Sequence, residues 1–251
     1  MPALADMHCH LDFFPDPGAI ADAAAARGIA LLGVTCEPAT YERVAPLVAD
    51  AENVRLAAGL HPWWIAEGRA GADATEHLCE LIGCTRYVGE VGLDFSDKHT
   101  PPESHGPQIA AFERIVRTAA SAGGKLLSVH AVASASAALD ILEAAGTLSS
   151  CDVIFHWFSG STEELWRAIR AGAYFSVNPM MLATRRAREY VKLIPETRLL
   201  LETDLPPENP DAAFGAAKIE ESLKRSLTLL ATYLGRDVSA SAAEASRLLL
   251  C

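Results

Sequence analysis

Apolar and polar positions alternate between two periods along this chain. Eight short runs rich in Val, Ile, Leu and Ala, at 3–10, 29–35, 54–61, 87–91, 125–130, 151–157, 173–178 and 198–204, read as strands. Each is followed by a polar loop and then by a stretch whose apolar residues recur at helical spacing. Residues 19–27, closed by Gly28, and 108–121, closed by Gly123-Gly124, are the clearest helices, because a glycine past the last turn takes the left-handed conformation that ends one. Eight strand-helix units predict an α/β fold, a (β/α)8 TIM barrel. A doubly wound open sheet would be expected to carry a glycine-rich G-x-G-x-x-G first turn, and the sequence has none.

Polar residues interrupt these runs at one kind of place. His8 and His10, His61, Glu90, His130, His156 and Asp204 all fall at or near the C-terminal end of a strand run. In a TIM barrel those ends meet on the face where catalytic groups collect. His8 and His10 are two residues apart on a strand, so they share a face while Cys9 points away. Paired imidazoles supply half of a metal coordination shell. His77, His99 and His105 fall in a helix and in a loop, and are expected on the surface.

Composition narrows the setting. A length of 251 residues with half of them hydrophobic suits one enzyme-sized domain spanning 1–251. No run is long enough for a membrane span and no charged, then apolar leader precedes His8, so the expectation is a cytoplasmic protein without membrane association. The six cysteines form no C-x-x-C and read as reduced core thiols. A net charge of −11 argues against a generally basic duplex-binding surface, although bound cations can reverse the electrostatics of a carboxylate-lined pocket. There is no G-x-S-x-G elbow for a serine hydrolase.

Taken together, Met7-His8-Cys9-His10-Leu11-Asp12, Gly59-Leu60-His61-Pro62, Gly89-Glu90-Val91-Gly92-Leu93-Asp94, His130, His156-Trp157-Phe158-Ser159-Gly160-Ser161 and Glu202-Thr203-Asp204-Leu205-Pro206 resemble the successive motifs of TatD-family metal-dependent deoxyribonucleases, in the amidohydrolase superfamily. The resemblance runs through nearly the whole chain in order. It implies a TIM barrel, two divalent ions and hydrolysis of DNA phosphodiester bonds, on a single strand or a strand with a free end. It places His8, His10, Glu90 and Asp204 on one ion and Glu90, His130 and His156 on the other, with Glu90 bridging. Nitrogen and oxygen donors without thiolate suit Zn, Mn, Mg, Ni or Fe. Glu90 and Asp204 are the catalytic candidates, Asp204 orienting or deprotonating the attacking water.

Around this set, Glu202 shares the strand face of Asp204 and reads as an acceptor that orients a ligand histidine, or as a core hydrogen bond. Asp94 and Asp12 either orient ligands or cap helices. His61 is a candidate for contact with substrate phosphate, against packing on Trp63. Trp63, Trp64 and Trp157 either stack on unpaired bases or fill the core. Arg185, Arg186 and Arg188 read as a solvated helix face, or as a grip on a DNA backbone.

Two departures bear on substrate. His130-Ala131-Val132-Ala133 lacks the Arg that the family pattern places there, and Pro206-Pro207-Glu208-Asn209-Pro210 is an abbreviated loop that should lead quickly into a helix. The stretch Phe175-Ser176-Val177-Asn178-Pro179-Met180-Met181-Leu182 is similar to TatD-like proteins of the bacterial anti-phage operons called Qat, which implies protein partners from a defence operon. Alternatives are a superfamily enzyme acting on a small ester or amide, and a subunit active only with a partner. Many of the former bridge their metals with a carboxylated lysine at the end of strand 4, where this chain has Glu90, and none of its five lysines falls at a strand C-terminal end.

Overall fold

The computed structural model describes residues 4–208, 210 and 214–251. By contact density the chain divides into two compact units, Met1–Gly33, Arg43–Leu56 and Phe175–Cys251 in the first, Val34–Glu42 and Ala57–Tyr174 in the second.

In the first unit, β1 (Leu4–Cys9), β2 (Ile29–Gly33) and β3 (Val54–Leu56) form a parallel sheet in that order, and β8 (Tyr174–Val177) pairs in parallel with β9 (Leu199–Leu201). Beyond β9 the chain stays tied to β1: Asp204 N–H donates to the His8 carbonyl and His10 N–H to the Leu205 carbonyl, both at 2.9 Å. The core contains Met7, Leu11, Leu31, Phe175, Leu200 and Ile219, all fully buried. Each such side chain contributes roughly 1.5–3 kcal/mol.

The second unit is a parallel sheet of β4 (Ala58–Leu60), β5 (Tyr87–Asp94), β6 (Leu126–Val132) and β7 (Asp152–His156) in chain order, covered by helices that include Ala72–Ile82 and His105–Ala122. Leu78, Ile82, Phe112 and Phe155 fill its core.

The expected elements are present with shifted edges. The run at 54–61 is two strands, because Thr35 intervenes: its hydroxyl donates to the Ala57 carbonyl at 3.0 Å and accepts from Gly59 N–H at 3.1 Å. The helix expected at 19–27 is Pro17–Ala25, started by Asp16, whose carboxylate accepts from Ala19 N–H at 2.9 Å. The helix at 108–121 is His105–Ala122, ended by Gly123 at φ 66°. Ala3, expected to open the first strand, and Asn209 of the abbreviated loop lie outside the described residues; the next helix begins at Ala216. The cysteines are all free, but Cys84 and Cys251 are exposed rather than buried, since one follows a helix end at Gly83 and the other the last helix. No helix among the described residues is long and apolar enough to cross a membrane.

Candidate metal centres

In the second unit, β5 delivers Glu90. Two glycines let it sit there. A Cβ on Gly59 would stand 1.9 Å from the Thr35 carbonyl oxygen and 2.4 Å from the Glu90 nitrogen, and one on Gly92, at φ 148°, would be 2.0 Å from the His130 carbonyl oxygen. Glu90 is 1% exposed, and one of its oxygens, Oε1, gathers three imidazoles: His130 Nδ1 at 2.7 Å, His156 Nε2 at 2.7 Å and His61 Nε2 at 3.2 Å. His130 Nδ1 is also 3.2 Å from His156 Nε2. His61 came from the sequence as a substrate contact; here it caps the helix Pro62–Ala66, Nδ1 accepting from Trp63 N–H at 3.1 Å, and turns Nε2 to Glu90.

Asp94, four residues past Glu90 on β5, holds the far side of His130. Its Oδ2 lies 3.2 Å from His130 Nε2 and accepts from the Trp63 indole N–H at 2.7 Å, while Oδ1 accepts from Ser96 N–H at 2.7 Å. Gln108, from the long helix, accepts from Asp94 N–H at 2.8 Å and fixes the strand end. Burial pushes the Asp94 carboxyl up, but the hydrogen bonds of His130, Ser96 and Trp63 outweigh it and hold it well below the usual carboxylate range. Burial pushes His130 down, and its bonds to Asp94 and Glu90 overcome that and raise it to about 9.

Trp63 is thus committed by its N–H, and its ring also stacks on His99, with centroids 4.2 Å apart and planes 21° from parallel. His99, expected on the surface without further role, is exposed but belongs to this arrangement. His77 faces Glu42 at 3.3 Å. His105 is half-buried rather than exposed, stacked on Phe95 at 4.2 Å. Trp64 is buried under the Arg69 guanidinium at 3.8 Å and is core. Trp157 is half-exposed with φ 40°, a conformation that a bulky side chain rarely adopts.

In the first unit, His8 Nε2 and His10 Nε2 approach Asp204 Oδ1 at 3.6 and 3.3 Å. Asp204 adopts φ 57°, in the left-handed region that Asp tolerates better than most residues. His10 Nδ1 lies 3.7 Å from Asp12, and its ring stacks on Phe13 at 4.7 Å. Cys9 points elsewhere, its thiol donating to the Leu205 carbonyl at 3.3 Å. Glu202, fully buried, accepts from the Ser176 hydroxyl and from Asn178 Nδ2 at 2.8 Å, and offers an oxygen within 4.8 Å of a His8 nitrogen. Burial, helped by the charge of Asp204, pushes Glu202 well above the ordinary carboxyl range against those two bonds.

Asp6 is a residue that the sequence reading missed. Fully buried, it accepts from His8 N–H at 3.2 Å, Thr203 N–H at 2.9 Å and the Thr203 hydroxyl at 2.5 Å, tying β1 to the turn that carries Asp204. Burial raises it to about 7 despite these donors. Its only trace in the sequence is its place two residues before His8, on the strand face of the histidines.

Both groups fit a divalent ion by the chemistry of their donors. His8, His10 and Asp204 offer one ligand atom each within 4.8 Å of one another, as do His61, Glu90 and His130. Tetrahedral coordination at ordinary Zn–N and Zn–O lengths separates neighbouring donors by roughly 3.3 Å. The separations of 3.3 and 3.6 Å to Asp204, and of 3.2 Å between His130 and His156, are of that size, while the 2.7 Å from Glu90 Oε1 to each of those two imidazoles is a hydrogen-bond length. The two imidazole nitrogens and the Glu90 oxygen, this close and buried, need a proton or a cation among them.

A family model described as TatD related DNase matches residues 5–247. Deoxyribonuclease TATDN3 of Homo sapiens is 26% identical over 227 residues, 83% of this chain and 80% of that protein. The 3′-5′ ssDNA/RNA exonuclease TatD of Citrobacter rodentium is 31% identical over 155 residues, 59% of this chain and 56% of its own. The solved structure of YJJV, a TatD homologue from Escherichia coli K12, covers 99% of this chain and 98% of its own with a TM-score of 0.79 at 21% identity. A TatD family hydrolase from Entamoeba histolytica covers 97% and 95% with a TM-score of 0.75 at 16% identity. At those identities the solved structures speak for the fold, which is α/β of the TIM-barrel class.

Proposed function

From the premise that this chain belongs to the family of TatD related DNases and is a metal-dependent hydrolase, we propose that it cleaves phosphodiester bonds in single-stranded DNA, or in a strand with a free end, using two divalent ions. The observation that carries this reading is the pair of thiolate-free donor groups, His8 with His10 and Asp204, and Glu90 with His130 and His156. Zn, Mn, Mg, Ni and Fe all accept such donors. His61, at 3.2 Å from Glu90, stands ready as a further ligand or as a contact to a phosphate oxygen. The relative named a 3′-5′ ssDNA/RNA exonuclease supports a single-stranded substrate. A cytoplasmic location belongs to the same proposal.

When bound, divalent ions would lower the pKa of water and offset the charge of phosphate oxygens. The chain's residues do the rest. Asp204 accepts a proton from the attacking water, and its raised φ aims the carboxylate toward the two imidazoles of its unit. Asp94 fixes the tautomer and direction of His130. Trp157, half-exposed directly after His156, offers a face to an unpaired base, and backbone strain of this kind collects at sites of function. Trp63 serves by holding Asp94, since its N–H is already committed there.

Ala131 and Val132, where the family pattern has an Arg, favour a second reading, in which a partner from a defence operon completes substrate binding. Incubating the purified chain with a 5′-labelled single strand and Mn, Zn or Mg decides between them. The nuclease reading predicts shortening that EDTA stops and that Asp204→Asn reduces at least about 100-fold while metal is still bound. No cleavage by a fully metal-loaded chain contradicts it and leaves the partner-dependent reading; an unchanged rate in Asp204→Asn contradicts the role of Asp204.

A further inference from the structure

The helix Arg185–Leu193 opposes its own dipole. A helix N-terminus carries partial positive charge and is stabilised by Asp or Glu in the first turn. The helix Thr162–Arg170 follows that rule, with Glu163 and Glu164 at its start and Arg167 and Arg170 at its end. The helix Arg185–Leu193 inverts it: Arg185, Arg186 and Arg188 lie in or beside the first turn, and no acidic residue does. All three are exposed, on a chain of net charge −11.

The neighbouring acid does not pair with Arg185 or Arg188. Glu189, one helical turn after Arg185, receives Lys192 Nζ on both oxygens, at 2.9 and 3.1 Å. Among the described residues neither Arg185 nor Arg188 forms an ion pair. Arg188 is instead held in place, donating to the Ala183 carbonyl at 3.2 Å with its guanidinium 5.4 Å from the Tyr233 ring, while the Tyr233 hydroxyl donates to the Leu182 carbonyl at 3.1 Å. Arg185 and Arg188, three apart, share a helix face.

This cationic turn is anchored to the strand ends that carry the first unit's metal candidates. Asn178, at the end of β8, donates to Glu202 and accepts from Met181 N–H at 2.8 Å, which starts the short helix Pro179–Leu182. Thr184 then caps the arginine helix, accepting from Ala187 N–H at 3.1 Å. Met180 stands 53% exposed beside it. The Arg185 and Arg188 guanidinium groups, neither in an ion pair among the described residues and the second held in place, match in chemistry the phosphates of a single strand, and the exposed Met180 its bases.

We propose that Arg185, Arg186 and Arg188 bind the sugar-phosphate backbone of a single-stranded nucleic acid and position it for hydrolysis; this rests on the nuclease reading above. The triple substitution R185E/R186E/R188E should fold, since it restores acids to the positive end of the helix. Binding is read by anisotropy, using Mn-loaded protein and a 5′-fluorescein-labelled strand with phosphorothioate linkages that resist hydrolysis. The expected result is at least a tenfold weaker Kd, a slope of log Kd against log salt lower by about 2 for three lost contacts, and recovery of that slope in R185K/R186K/R188K. Hydrolysis should fall at least tenfold more on an oligonucleotide than on bis(4-nitrophenyl) phosphate. Equal Kd and slope in wild type and the reversed variant, or no binding by wild type, overturns the proposal. Failure of wild type to hydrolyse either substrate overturns the nuclease reading instead, and the salt slope still decides the arginine contact.

Discussion

Asp94 shows how much one carboxylate can govern. It accepts from Trp63 and Ser96 and lies against His130, so removing its charge leaves a buried imidazole nitrogen without its acceptor and frees the indole N–H as well. Asp94→Ala should weaken metal affinity about 10-fold to 100-fold, with the far-ultraviolet circular dichroism of the wild type. Affinity within a factor of two of wild type, measured by competition with a chelating dye, contradicts a role in orienting His130. The six residues His8, His10, Glu90, His130, His156 and Asp204 stand out in the sequence as polar ends of strand runs, and their assignment to two ions comes from the family resemblance. Asp6 was not, since its partner Thr203 lies 197 residues away. Nor was His99, whose part follows from how a loop folds back onto Trp63. The sequence left Trp63 open between stacking and packing because nothing local says where its N–H goes.

At the scale of elements, periodicity located all eight strand runs and missed their edges. The run at 54–61 breaks because one hydroxyl, that of Thr35, reaches both Ala57 and Gly59, which no local pattern reveals. The run at 198–204 is regular only over Leu199–Leu201; after that, Glu202 N–H still donates to the Val177 carbonyl, Thr203 N–H turns to the Asp6 carboxylate, and Asp204 N–H donates to the His8 carbonyl on β1. Gly59 is where β4 presses closest to the Glu90 backbone. Gly59→Ala puts a methyl group 1.9 Å from the Thr35 carbonyl oxygen, and rigid backbone must shift. Overpacking of this kind costs about 1–3 kcal/mol or more. Urea unfolding should show a midpoint lowered accordingly, with hydrolysis lost along with Glu90 placement. An unchanged midpoint contradicts the close approach.

For the whole molecule, the acidic balance is compatible with the proposed function. The net charge of −11 argues against a broadly basic surface, while divalent ions at the two donor groups and the three exposed arginines would supply cations locally. The fold class was legible from eight alternating units and from the absence of a dinucleotide-binding turn. The division into two compact units was not, because the first is assembled from three separate stretches of chain. Titrating metal-free protein with Mn or Zn, while following bound metal per chain and oligonucleotide cleavage on the same sample, tests the central claim most directly. Cleavage should be absent without metal and reach its maximum as about two ions bind, and Glu90→Ala should stay inactive and bind fewer than two. Full cleavage by metal-free protein, or wild-type stoichiometry and rate in Glu90→Ala, would contradict it.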